Sequence, residues 1–115
     1  MENDKKNLIV ELTFKFSLDI IEYTEVLESK RKYNLANQLF RSGTSIGANV
    51  KESQNAESKA DCIHKIKIAA KEAEETEYWL LLCKHSKNYP DCDNLLLQIR
   101  SIVKVLGKII VTAKK

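Results

Sequence analysis

Apolar residues recur along this chain at steps of three and four, the spacing that puts side chains on one face of a 3.6-residue helix. Four such stretches follow one another. The first predicts a helix over approximately residues 5–29, with a core stripe of Ile9, Leu12, Phe16, Ile20, Tyr23 and Leu27. The second, over approximately 33–56, carries Leu35, Leu39, Ser42, Ile46, Asn49 and Ser53 on one face. The third, approximately 59–86, follows the near capping box Ser58-Lys59-Ala60-Asp61 and carries Ile63, Ile66, Ala70, Ala73, Leu80 and Leu81. The fourth, approximately 92–113, follows Pro90, takes Asp91 or Asp93 as its N-cap, and has the seam Leu95, Ile99, Ile102, Leu106, Ile109 and Ala113. Short joints make consecutive helices antiparallel neighbours. The expected fold is therefore all-α: an antiparallel up-down four-helix bundle forming a single domain over residues 1–115.

Three features do not reduce to one inward stripe per helix. On the first helix a second apolar set, Val10, Phe14, Leu18 and Ile21, centres well to one side of the core stripe. Either it packs against a second neighbouring helix, or it is left uncovered and forms a subunit interface. On the third helix Glu77 falls on the apolar stripe, which predicts an inward carboxylate in need of a cation, with Arg41 as the obvious partner. On the second helix, Arg41 to Ser53 has the composition of a loop, with Gly43 and Gly47, several hydroxyl residues and Asn49, yet keeps helical spacing. Each glycine inside a helix costs about 1 kcal/mol relative to alanine. Ala36, Gly43 and Gly47 share a flank, so close approach of another helix is the natural compensation. Arg41, Ser45, Asn49, Glu52, Glu75 and Glu77 are the candidate polar cluster joining the central helices.

Glycine and proline are scarce, with three and one respectively, which agrees with a helical chain. No apolar run reaches the roughly 20 residues that span a bilayer. The charged start, Met1-Glu2-Asn3-Asp4-Lys5-Lys6, is unlike a secretory signal, so a cytoplasmic protein with no membrane partner is expected. Cys62, Cys83 and Cys92 are odd in number and lack C-x-x-C spacing, which points to free buried thiols. The net charge is +3, and from Lys84 onward seven cations face two anions. Arg100, Lys104, Lys108 and Lys115 on the fourth helix are thus candidates for contact with a phosphate backbone, set against the plainer reading of a solvated face. Interleaved aromatics for base stacking are missing there. Lys30-Arg31-Lys32 is too short a basic run to say more than solvated turn.

No catalytic constellation emerges. Gly43-Thr44-Ser45-Ile46-Gly47 lacks the lysine and preceding strand of a phosphate-binding loop. His64 and His85 have no companion ligands for a metal. Cys83 and His85, two apart on a helix, point in different directions and do not pair as nucleophile and base. Glu72, Glu74, Glu75 and Glu77 lack the Glu-x-x-His of a di-metal bundle. The expectation is no enzyme, no cofactor, no metal and no small-molecule substrate.

The stretch from Leu39 to Leu81 resembles the four-helix-bundle proteins encoded within intervening sequences of bacterial 23S ribosomal RNA genes. Arg41, Ser45-Ile46-Gly47-Ala48-Asn49-Val50-Lys51-Glu52, Ile68-Ala69 and Glu75-Thr76-Glu77 before Leu80 and Leu81 carry the resemblance. The pattern reads approximately Ser-Ile-x-x-Asn-Ile-x-Glu-Gly. Here Val50 stands for the isoleucine, Ser53 for the glycine, Gly47 for a frequent proline and Glu72 for a usual small residue. The resemblance implies an up-down bundle that assembles as a cyclic pentamer. The chain is also similar to the accessory proteins of diversity-generating retroelements, basic pentamers that bind nucleic acid and a reverse transcriptase. No molecular activity is established for the intervening-sequence family. A non-enzymatic homo-oligomeric scaffold that binds RNA or a ribonucleoprotein is therefore expected. The alternative is a protein-interaction module whose lysines serve solubility.

Overall fold

In the computed structural model, which describes residues 2–114 and the side chains from residue 8 onward, four helices follow one another: α1 (Glu2–Ser29), α2 (Tyr33–Gln54), α3 (Lys59–His85) and α4 (Asp93–Ala113). Cross-helix contacts pair rising numbers on one helix with falling numbers on its neighbour. Gly43 lies against Ile20 and Gly47 against Thr13 and Ser17. Arg41 bonds Glu72 and Glu75, whereas Glu52 bonds Lys65. Lys84 bonds Asp93, and Arg100 bonds Glu77. Asp19 meets Gln98, and Tyr23 meets Pro90. Each neighbouring pair therefore runs antiparallel. The helices stand in the order α1, α2, α3, α4 around one core, with α1 also touching α4. The 46 Å long axis is close to the length of α1, at about 1.5 Å per residue.

The stops and starts follow from local chemistry. Ser58 caps α3 by accepting the Asp61 N–H at 3.1 Å, as the capping box predicts. The end of α1 is a Schellman turn: the Lys32 N–H reaches the Leu27 carbonyl at 2.8 Å and the Arg31 N–H reaches Glu28 at 2.9 Å. No glycine stands at that turn, so Arg31 itself adopts the left-handed conformation, with φ of 63°. The start of α4 differs from expectation. Cys92 is its N-cap and makes no side-chain cap. The Asp91 carboxylate instead accepts the Asp93 N–H at 3.2 Å, while Asp93 sits in the first turn, where the helix dipole favours an anion.

The core closely follows the predicted stripes on three helices. It contains Ile9, Phe16, Ile20, Tyr23 and Leu27 from α1, Leu39, Ile46 and Val50 from α2, and Leu95, Leu96, Ile99, Ile102 and Leu106 from α4. On α3 the stripe is rotated. Ile66, Ala69, Ala73, Thr76, Leu80 and Cys83 face inward, while Ile63, Ala70 and Leu81 are half-buried on the flank. The true stripe passes through small and hydroxyl residues, whose weak hydropathy hides it behind the bulkier Ile63 and Leu81. Glu77 is consequently displaced to the α4 side, and the inward carboxylate expected there is not found.

Gly43 and Gly47 do what their flank suggests. A Cβ on Gly43 would stand 3.0 Å from the Ile20 side chain, and one on Gly47 would stand 3.3 Å from the Thr13 carbonyl oxygen. Gly43 thus makes room for the Ile20 side chain, and Gly47 lets α2 approach the α1 backbone itself. Gly107 on α4 faces open space.

Candidate interaction surfaces

The residues expected to form one polar cluster separate into three groups. Arg41 is held between Glu72, at 3.2 Å, and Glu75 on α3. Glu75 also accepts the Trp79 indole N–H at 3.0 Å, which anchors the ring along the α2–α3 seam. Glu52 instead pairs with Lys65 at 3.1 Å, farther along that seam. Glu77 pairs with Arg100 of α4 at 3.1 Å, so Arg41 is not its partner. Ser45 and Asn49 make no cross-helix bond among the described residues. The Ser45 hydroxyl donates to the Arg41 carbonyl at 2.6 Å, and the Asn49 amide donates to the Ser45 carbonyl at 2.9 Å. The spacing placed them on a shared flank, but their short side chains reach their own backbone first.

Two polar contributors escaped the sequence reading. Glu72 is the first. It lies one turn before Glu75 and is brought to Arg41 by that spacing. The second is the fully buried pair of hydroxyls on Ser42 and Thr76, 2.9 Å apart across α2 and α3. The Thr76 hydroxyl lies 2.7 Å from the Glu72 carbonyl oxygen. A hydroxyl has one proton, so with Thr76 donating to that carbonyl, Ser42 donates to Thr76 and both groups are satisfied. The pair replaces apolar filling at the narrowest part of the core. It is a packing device with no nucleophile activated beside it.

At the α1–α4 seam, Lys15, Asp19, Glu22, Tyr23, Val26, Asp91, Asn94 and Leu95 line an open groove. Lys15 donates to Asp19 at 2.7 Å and holds its carboxyl below the usual carboxylate range. The Tyr23 hydroxyl donates to the Pro90 carbonyl at 2.8 Å, and burial pushes its pKa up. Behind it, Cys83 and Cys92 are buried free thiols, as expected, and Cys62 is half-buried. Burial raises Cys83 to about 11 and Cys92 in the same direction, so both thiols are protonated and unreactive near neutral pH. His64 and His85 are exposed. No group of three or more His, Cys, Asp or Glu among the described residues is arranged to hold a metal ion.

Two outer faces have a different character. On α1, Phe14 is 65% exposed and Leu18 48% exposed, whereas Val10 and Ile21 are half-buried and Val10 packs on the core. The second apolar set thus splits: its edge supports the α1–α2 seam and its centre faces out. Phe40 of α2, 49% exposed, adds to that side of the bundle. On α4, Arg100 is committed to Glu77, while Lys104 and Lys108 are exposed and Lys115 lies outside the described residues. Leu97, 68% exposed, and Val111, 58% exposed, share this outer face. They are absent from the periodic core seam, and that absence was the available signal.

Residues 5–108 match the family model described as 23S rRNA-intervening sequence protein. No curated protein matches the chain. Among solved structures, the chain is similar to a protein of unknown function from the S23 ribosomal protein family of Bacteroides thetaiotaomicron. The two are 37% identical with a TM-score of 0.87, and the match covers 92% of this chain and 97% of the other.

Proposed function

The chain belongs to the 23S rRNA-intervening sequence protein family, and we propose that it is a non-enzymatic, cytoplasmic homo-oligomeric scaffold that engages RNA or a ribonucleoprotein through its outward cations. Neither the family model nor the similar solved structure, a protein of unknown function, indicates a catalytic family. The observation that carries the proposal is the uncovered apolar centre of α1, Phe14 and Leu18. An uncovered patch on one side of a small protein marks an interaction surface. The pentameric state implied by the resemblance is the expected assembly. No described helix is long and apolar enough to cross a membrane, so a bilayer does not cover the patch by a transmembrane span.

The RNA half rests on charge. Lys104 and Lys108 stand out from α4, and the Arg100–Glu77 and Lys84–Asp93 pairs set a register that brings Lys67 and Lys71 of α3 to the same end of the bundle. Binding to structured RNA should weaken steeply with salt and show little sequence preference. Filter binding across a salt series tests this. Reversing Lys67 and Lys71 together to Glu should lower affinity and reduce the salt slope by about 1 per residue. Affinity that is absent at low salt would leave the protein-interaction module as the function of this bundle.

A further inference from the structure

Because neighbouring helices run antiparallel, the α1–α2 joint and the α3–α4 joint lie at the same end of the bundle. The first joint holds Lys30, Arg31 and Lys32 and runs into Tyr33, and the second holds Lys87 and Tyr89. The Lys32 ammonium lies over the Tyr89 ring, 5.0 Å from its centroid, and ties one joint to the other. A basic run too short to mean much alone is thus joined by a second one. Across residues 28–33 and 84–93, five cations stand against three carboxylates. Asp93 is bound to Lys84, and Asp91 accepts the Asp93 N–H. Lys30, Arg31 and Lys87 are exposed and Lys32 is half-buried, and none of the four forms an ion pair among the described residues. No acidic residue stands in the first turn of α2 to offset them. Beside them Tyr33 is 54% exposed, and no aromatic ring or cation covers it among the described residues. Arg31 is also not the residue its turn asks for. Its φ of 63° suits glycine, so the backbone there gains nothing from an arginine.

We infer that this end of the bundle binds unpaired nucleotides of an RNA, with a base stacked on Tyr33 and the flanking phosphates on Lys30, Arg31 and Lys87. The combination of groups selects the ligand. An uncovered aromatic face stacks on any base, and cations beside it hold the phosphates on either side, which makes a sequence-tolerant single-strand site. A duplex keeps its base faces stacked on one another, so it would use the cations and leave Tyr33 idle. An acidic peptide would do the same. The inference rests on the RNA reading proposed above and adds a second site with a different preference. Lys67, Lys71, Lys104 and Lys108 lie toward the opposite end, with Lys71 roughly 20 Å from His85 along α3. Contact there is with phosphates, whereas Tyr33 adds a face for a base.

The test measures fluorescence anisotropy of a labelled oligouridylate and of a labelled RNA duplex of equal charge, each titrated with the full chain. Tyr33→Leu keeps an apolar side chain but removes the ring. It should weaken oligouridylate binding about tenfold and leave duplex binding unchanged. Arg31→Gly removes a cation from a turn that suits glycine. It should leave urea unfolding unchanged or shifted to higher urea, and reduce the salt slope for oligouridylate by about 0.7. Equal losses for the two RNAs with Tyr33→Leu would overturn the stacking. If oligouridylate binds and both variants hold it as the parent does, while Lys67→Glu with Lys71→Glu releases it, this end is not the site and the RNA reading stands without it. If the parent binds neither RNA at low salt, the RNA reading falls and this inference with it.

Discussion

α1 has two neighbours, and the two seams are built in different ways. Against α2, glycines at 43 and 47 let the helices close until Ile20 and the Thr13 carbonyl fill the space a Cβ would need. Against α4, no glycine stands at the contact. Hydrogen bonds from Tyr23 to Pro90 and from Gln98 to Asp19 cross this side, and an open groove lies between the helices. Close packing is sensitive to a single methyl group, while a bridged groove can absorb change at its rim. The difference makes α1–α2 the seam that tolerates least added volume and α1–α4 the seam with room at its rim.

Truncation in each seam should separate them most strongly. Ile20→Ala removes a fully buried side chain at the closed seam and should cost about 3–5 kcal/mol in urea unfolding. Leu95→Ala at the groove should cost less, about 2 kcal/mol, because its site is open on one side. Equal costs would remove the distinction. Glycine replacement comes next. Gly47→Ala should destabilise by about 1–3 kcal/mol, since a backbone carbonyl cannot step aside. Gly107→Ala, facing open space, should stabilise by about 0.5–1 kcal/mol through helix propensity. Opposite signs for one chemical change are the sharpest form of the contrast. Tyr23→Phe should cost about 0.5–1.5 kcal/mol, by loss of the bond to Pro90.

The remaining effects depend on pH and lie on the side of the bundle next to α4. Cys83 has its folded pKa raised from 9.0 to about 11 by burial. Its thiol keeps a proton that the unfolded chain gives up, so it lowers stability as pH rises from about 9 to about 11 and has no effect below. Cys83→Ala should flatten this part of a pH–stability curve measured by urea unfolding. Asp19 has the opposite sign. Its depressed pKa supports the fold above the ordinary carboxylate range and loses that support as pH falls through the folded value, an effect Asp19→Asn should abolish.

How much of this was legible in the residues differs by helix. The stripes predicted for α1, α2 and α4 largely agree with the core; Leu12, Leu35, Asn49 and Ile109 are only half-buried, and Val50 and Leu96 are buried although they lie outside those stripes. The α3 stripe does not agree, because its inward face carries the small or hydroxyl residues Ala69, Ala73, Thr76 and Cys83. Hydropathy reads such a face as weak, so Ile63 and Leu81 drew the predicted stripe aside and carried Glu77 with it. The polar cluster failed for a related reason. Spacing places Arg41, Glu52 and Glu77 around the central helices, but which cation meets which carboxylate depends on the antiparallel register, and a single sequence does not print it. The outward pair Phe14 and Leu18 was legible as a second apolar set. Leu97 and Val111 were legible only by their absence from the core seam, because isolated apolar residues on a basic face carry no period of their own.

The uncovered face of α1 is proposed as an interface in an oligomeric scaffold. Light scattering of the parent chain over a concentration series, with Phe14→Asp plus Leu18→Asp beside it, tests this directly. A stable multiple of 13.2 kDa for the parent and a folded 13.2 kDa species for the variant is the predicted result. A parent mass of 13.2 kDa at every concentration, or a variant that assembles as the parent does, would contradict it.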